Sequence, residues 1–140
     1  MMKKIVLVGG CFDLLHFGHI SFLKQAKSLG DYLVVALESD EKVRHMKGDA
    51  RPIHTQAERK EMLEALSFVD EVIALPCMHG DRDYYKLVRT IKPSVIAITE
   101  GDSRAVKKSE QAKEIGASLV VIPKIHTPST SQLVKLLGLE

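Results

Sequence analysis

What most restricts the fold of this chain is an alternation that runs along the whole sequence. Apolar runs of strand length, rich in β-branched residues, take turns with segments of helical period. Residues 5–8 form such a run, ended by Gly9-Gly10, and Ile20, Leu23, Ala26 and Leu29 then recur on one helical face up to Gly30. Residues 32–37 are apolar without alternation, as a strand covered on both faces requires. Thr55-Gln56-Ala57-Glu58 has the spacing of a capping box, and Met62, Leu63 and Leu66 follow it, which predicts a helix over 55–67.

The pattern continues with strands predicted over 72–75, 95–98 and 119–122 and helices over 84–91 and 107–115. Pro76, Gly116 and Pro123 serve as stops, and Ser129 with Gln132 opens a last short helix closed by Gly138. The expected architecture is α/β, a single Rossmann-like, doubly wound, parallel five-stranded sheet with helices on both faces, forming one domain over residues 1–140. In such sheets ligands sit beyond the carboxyl ends of the strands where strand order reverses. Chemistry is therefore expected in the turns 9–19, 99–103 and 124–131.

Composition excludes several classes. Twenty Lys and Arg against eighteen Asp and Glu give a net charge of +2, too little to hold nucleic acid by bulk charge, although a local phosphate site stays open. With only Cys11 and Cys77, a disulfide framework or cysteine zinc knuckle is not expected, and the reading is a protein of the reducing cytoplasm. The apolar stretch 5–8 is far shorter than a leader's core or the roughly 20 residues that span a bilayer, so neither export nor a membrane is expected.

The first turn, Gly9-Gly10-Cys11-Phe12-Asp13-Leu14-Leu15-His16-Phe17-Gly18-His19, runs straight into a helix. Glycines let a ligand approach the backbone, and a helix start offers unpaired N–H groups and a positive dipole end, which together favour a phosphate. His16 and His19 can converge on one anionic group if the helix begins near Gly18. The positive helix end also lowers the pKa of a nearby histidine, so donation by a neutral imidazole competes with full charge. Other readings of the pair are a core-edge residue beside an exposed helix start, or metal ligation, for which no third ligand is fixed by spacing.

The segment Gly10-Cys11-Phe12-Asp13-Leu14-Leu15-His16-Phe17-Gly18-His19 resembles the G-x-F-D-x-x-H-x-G-H signature of the cytidylyltransferase-like nucleotidylyltransferases. The likeness extends along the chain: Lys27-Ser28-Leu29-Gly30-Asp31-Tyr32 and Val69-Asp70-Glu71-Val72-Ile73 are similar to glycerol-3-phosphate cytidylyltransferase. Lys47-Gly48-Asp49-Ala50-Arg51-Pro52 resembles the K-G-x-x-R-P loop of the heptose-phosphate adenylyltransferases, although by composition it is simply a basic, flexible loop.

The resemblance implies that His16, His19 and Lys47 are catalytic, the histidines stabilising the transition state at the α-phosphorus. It further implies nucleotide binding by Gly10, Cys11, Phe12, Asp13, Gly18 and Arg59, and by Gly101 and Asp102 of Glu100-Gly101-Asp102, which could equally be an ordinary turn. Ser129 and Thr130 match the R-T-x-G-I-S-T-T segment of the cytidylyltransferases. Around them the pattern departs: Lys124 stands for the Arg, Ile125 for the Thr, Thr127 for the Gly and Pro128 for the Ile. An Arg-to-Lys change loses the bidentate fork and a lost glycine removes access to positive φ.

These departures and the K-G-x-x-R-P loop favour ATP over CTP. The implied partners are Mg²⁺ carried with the NTP, no protein metal site, and a small phosphorylated acceptor: a sugar phosphate, glycerol 3-phosphate, or FMN as in the similar archaeal FAD synthases. Homodimers are usual for the family. A non-catalytic nucleotide-binding sensor is the alternative of a different class.

Overall fold

The structure is a computed structural model that describes residues 3–138. Five strands, β1 (Ile5–Gly10), β2 (Tyr32–Leu37), β3 (Glu71–Ala74), β4 (Val95–Thr99) and β5 (Ser118–Ile122), form one sheet in the order β3-β2-β1-β4-β5. Every pairing is parallel, with Gly10 opposite Leu37 and Val6 opposite both Leu33 and Val95. Strand order reverses at β1, which places a crevice beyond the carboxyl ends of β1 and β4.

Six helices accompany the sheet: α1 (Phe17–Lys27), α2 (Asp40–Lys47), α3 (Gln56–Glu64), α4 (Asp81–Ile91), α5 (Ala105–Ile115) and α6 (Thr130–Leu136). Successive strand residues point to opposite faces, so each central strand feeds two cores. Val6, Val8, Leu33, Val35 and Leu37 pack with Leu23 of α1 and Leu63 of α3. Leu7, Val34, Ala36, Ile96 and Ile98 pack with Val88 of α4 and Ala112 of α5. This two-sided burial explains why the central strands lack polar alternation. Among the described residues no helix is long and apolar enough to cross a membrane.

The expected elements are present, with shifts at their ends. β1 continues through both glycines, and α4 and α5 begin at Asp81 and Ala105, earlier than apolar periodicity alone suggests. Thr55 and Ser129 are N-caps with reciprocal capping boxes to Glu58 and Gln132. α2 has no counterpart among the sequence expectations, because Val43 is its one buried residue and no apolar stripe announces it. It is held by its ends: Ser39 accepts from the Lys42 amide, Asp40 and Glu41 sit in the first turn, and Arg44, His45 and Lys47 in the last. Lys47 thus sits at a helix terminus rather than in a flexible loop.

Gly30 also differs from expectation. α1 stops at Ser28, and the glycine's reason is space rather than left-handed backbone: a Cβ there would lie 2.5 Å from the Lys4 carbonyl oxygen and 2.8 Å from the Val6 side chain. Gly30→Ala is therefore expected to push β1 and the α1–β2 turn apart and cost about 1–3 kcal/mol, as overpacked sites do. Urea denaturation checks this; an unchanged midpoint would mean the turn yields freely.

Candidate active site

At the end of β1 the chain leaves the sheet through Phe12 and Leu14, both at positive φ (46° and 53°), and enters α1 two residues after Leu15. Such backbone is uncommon for large side chains and marks a turn fixed by its surroundings. A Cβ on Gly18 would fall 2.8 Å from the His16 ring and 3.1 Å from the Thr127 methyl. The glycine lets the first histidine and the β5–α6 turn close over the helix start.

His16 is the N-cap of α1. Its Nδ1 accepts the Gly18 N–H at 3.0 Å, and Nδ1 of His19 accepts the His16 N–H at 3.3 Å, a capping box built from two imidazoles. The rings stack with centroids 3.9 Å apart and planes 30° from parallel. Because each Nδ1 is an acceptor, the proton of each neutral ring resides on Nε2. Two Nε2–H donors are thereby held side by side.

Burial lowers the pKa of His16, and burial brings that of His19 down to about 4, with His16, Arg51 and Lys47 adding to the effect and Asp13 opposing it. Of the two protonation states the sequence left open, both shifts favour the neutral imidazole, which has an Nε2–H to donate.

The histidines face a cleft of about 380 Å³ whose floor is Gly9, Gly10 and Cys11. Phe12, Asp13, Gly18 and Asp102 also line it, and Lys47 reaches it from the end of α2. From the β5–α6 segment come Lys124, Thr127, Ser129 and Thr130. Ser131 joins them and, like Thr127, was not singled out as a site residue from sequence. Among the described residues neither Lys47 nor Lys124 is in an ion pair, so both charges stay available.

Gly101 and Arg59, by contrast, do not line the cleft. Gly101 forms the turn after β4 at φ 83°, while its neighbour Asp102 accepts from the Arg104 amide and from Lys108 Nζ, both at 2.7 Å. Arg59 is buried to 1% exposure and each of its three guanidinium nitrogens donates one hydrogen bond, to the His54 carbonyl at 3.1 Å, the Cys11 carbonyl at 2.6 Å and Asp40 Oδ1 at 2.8 Å. It shapes the cleft from beneath and has no nitrogen aimed at a phosphate in it.

Asp13 is likewise engaged from below. One oxygen accepts from Arg51 Nε at 2.8 Å and the Ile53 amide at 2.7 Å, the other from the His54 amide at 3.0 Å. Burial alone would raise this carboxyl; the two amides and Arg51 outweigh it and hold it below its ordinary value. Arg51 reaches on to the Ser131 hydroxyl at 3.5 Å, so it ties the 48–54 loop to the first turn and to α6. Sequence spacing carries no trace of this pair, whose members lie 38 positions apart.

A second compartment of about 190 Å³ opens on the α4–α5 side of the same floor. It shares Gly9, Gly10, Cys11 and Asp102 with the main cleft and adds Glu38, Tyr84, Leu87 and Arg104.

An all-parallel sheet whose topological switch point opens on a cleft beside a histidine-capped helix start defines a Rossmann-like α/β domain. The Cytidylyltransferase-like family model matches residues 7–128, and the chain belongs to that family. It is 39% identical over 136 residues to the "Bifunctional protein HldE" of Desulfatibacillum aliphaticivorans, covering 95% of this chain and 27% of that one. The protein of the same name from Campylobacter fetus is 48% identical over 95 residues, 67% of this chain and 20% of the relative.

The chain thus spans about a quarter of the length of these relatives. Among solved structures, the lipopolysaccharide core biosynthesis protein from Thermoplasma volcanium superposes with a TM-score of 0.69 at 27% identity, covering 89% of this chain and 98% of that one. Pantoate-beta-alanine ligase from Francisella tularensis, at 19% identity and a TM-score of 0.63 over 90% of this chain and 61% of its own, shares the fold.

Two outcomes follow from this geometry. Asp13→Ala strands Arg51 and two amides and is expected to cost about 3–5 kcal/mol in urea denaturation, the scale of a broken buried pair; a loss below 1 kcal/mol would mean the loop is held elsewhere. Because the folded His19 ring refuses a proton that the unfolded ring accepts, its contribution to stability is complete above about pH 6.5 and is lost as the pH falls toward about 4. The denaturation midpoint should fall across that window, and His19→Gln should flatten the fall.

Proposed function

We propose that this domain transfers an adenylyl group from ATP to the phosphate of a small phosphorylated acceptor and releases pyrophosphate. The carrying observation is the His16–His19 capping box, which holds two Nε2–H donors together at a helix start inside the cleft. The motif match, the family and its relatives support the same reaction class.

In the proposed step an oxygen of the acceptor phosphate attacks the α-phosphorus in line. A new P–O bond forms, the bond from that phosphorus to the bridging oxygen breaks, and the electron pair leaves with pyrophosphate. The nucleophile is already anionic, so no general base is required; the protein must align the reactants and meet the developing charge. His16 and His19 donate to the nonbridging oxygens at the α-phosphorus. Lys47 and Lys124 bring positive charge to the leaving phosphates, and Ser129 and Thr130 border them at the cleft wall.

Neutral imidazoles suit this work, because they strengthen their hydrogen bonds as charge builds without binding the ground state as tightly as imidazolium would.

Among the described residues no three His, Cys, Asp or Glu side chains are grouped to hold a metal ion, and the Asp13 oxygens are already taken by amides and Arg51. Mg²⁺ would therefore come with the nucleotide, and it would supply screening of the charge on the departing pyrophosphate. ATP is favoured over CTP by the adenylyltransferase-like 47–52 loop and by Lys124 and Thr127 in place of the Arg and Gly of the cytidylyltransferase segment. The compartment proposed is the reducing cytoplasm, on the low cysteine count of the sequence, Cys11 and Cys77 alone.

Pyrophosphate release from ATP or CTP with Mg²⁺ and a panel of phosphorylated acceptors tests the proposal. Turnover with ATP is the expected result; nucleotide binding without release across the panel would favour a sensor. His16→Ala and His19→Ala are each expected to lower kcat by about 10²-fold or more, the scale of a lost transition-state donor. Their cost in stability is expected to be only about 1 kcal/mol, that of a helix cap. Activity that falls only as far as the folded fraction would make the pair structural.

A further inference from the structure

Resting on the transferase reading, the geometry points to the flank of α1 as the seat of the nucleotide's base, with Gln25 as the residue that reads the base's edge. Gly18, Ser21, Phe22 and Gln25 all line the main cleft, and offsets of three, four and seven residues set them on one face of α1. The cleft therefore does not end at the histidine cap. It continues along the helix for about two turns, opposite Pro123 and Ile125 of the β5–α6 segment.

The walls differ in what they offer a ligand. Phe22 is partly buried against the core and, with Pro123 and Ile125, gives this arm of the cleft apolar surface for the faces of a ring. Beyond it stands a neutral amide. Gln25 Nε2 donates to the Ser21 hydroxyl at 3.1 Å, and among the described residues no donor meets its Oε1. On the other side of the cleft Asp102 and Lys108 bond each other at 2.7 Å, so their polar groups are already matched. An aromatic ring with a hydrogen-bonding rim fits the α1 side.

Reach selects the ring. With the histidines on the α-phosphorus the base lies one ribose away, and Gln25 stands six residues beyond His19, about 9 Å along the helix. A purine spans that reach with its six-membered ring outermost, and a pyrimidine is one ring short. The amide selects the substituent. Because Nε2 is held by Ser21, the free end of Gln25 is an acceptor, which matches the exocyclic amino group of adenine and opposes the carbonyl oxygen that hypoxanthine and guanine carry at the same place.

The test compares wild type with Gln25→Leu and Gln25→Glu. The probes are ATP, purine riboside triphosphate, which lacks the amino group, ITP, which carries oxygen in its place, and CTP. Calorimetric binding of each with Mg²⁺ is measured alongside pyrophosphate release with the panel of phosphorylated acceptors. Wild type is expected to bind ATP about five- to tenfold more tightly than purine riboside triphosphate, the scale of one neutral hydrogen bond, and to bind ITP and CTP no better than that analogue. Gln25→Leu should close the gap by weakening ATP alone, and Gln25→Glu, which keeps an acceptor, should retain it. In turnover the KM for ATP should rise in Gln25→Leu while kcat and the acceptor KM hold, as when uniform binding is lost.

Gln25 is exposed, so both variants are expected to keep the wild-type Tm. Equal weakening of ATP and the amino-free analogue in Gln25→Leu, a gap that this substitution leaves unchanged, or a preference for ITP would overturn the assignment. A gap that depends on Gln25, with no pyrophosphate released from any acceptor, would keep the base site and refute the transferase. Turnover with ATP and no gap in wild type would keep the transferase and refute the base site. Failure of every nucleotide to bind would refute both.

Discussion

The site depends on one buried carboxylate. Asp13 gathers Arg51 and the amides of Ile53 and His54, and so fastens the long connection after α2 to the turn after β1. Arg59 completes the fastening from α3, since its guanidinium bonds the carbonyls of Cys11 and His54 and the side chain of Asp40 at the start of α2. Burying these charges is costly, and they are tolerated because each is met by several partners. In return the floor of the cleft, the entrance to α1 and the helix that carries Lys47 are set relative to one another. A surface loop could not hold a lysine and two imidazoles around the same cleft with comparable definition.

The histidines illustrate how local backbone demands can set chemistry. Every helix start leaves N–H groups that need acceptors, and here imidazoles supply them in place of the usual serine or aspartate. Accepting through Nδ1 leaves the other nitrogen with the proton and pointing it outward. The same burial that stacks the rings prevents their protonation, so the pair is ready to donate before any ligand arrives. Capping uses one edge of each ring and leaves the opposite edge for the donation proposed above, so substitution at either position would disturb both in unequal measure.

Most of the architecture could be read from the sequence because two-sided burial writes itself as uninterrupted apolar strands, and because Thr55 and Ser129 announce their helices through capping boxes. α2 escaped because its stability lies in end charges and a single Val43, signals that an apolar period does not contain. The turn at 9–19 was legible as a site at a helix start, and both histidines do stand there and line the cleft. Arg59 was not: a helix arginine in a phosphate-binding family suggests a phosphate ligand, and only the fold reveals that Cys11, His54 and Asp40 already occupy it.

The two compartments give these parts a common geometry. The main cleft borders α1 and the β5–α6 turn, while the smaller one borders α4 and α5, and they meet over the end of β1. An in-line displacement needs nucleophile and leaving group on opposite sides of the phosphorus. Glycine at positions 9 and 10 leaves the floor shared by the two compartments open to the close approach that the proposed reaction would need. The histidine cap, bound to the fold through backbone hydrogen bonds, borders only the main cleft, so the two compartments differ in donor chemistry while sharing one floor.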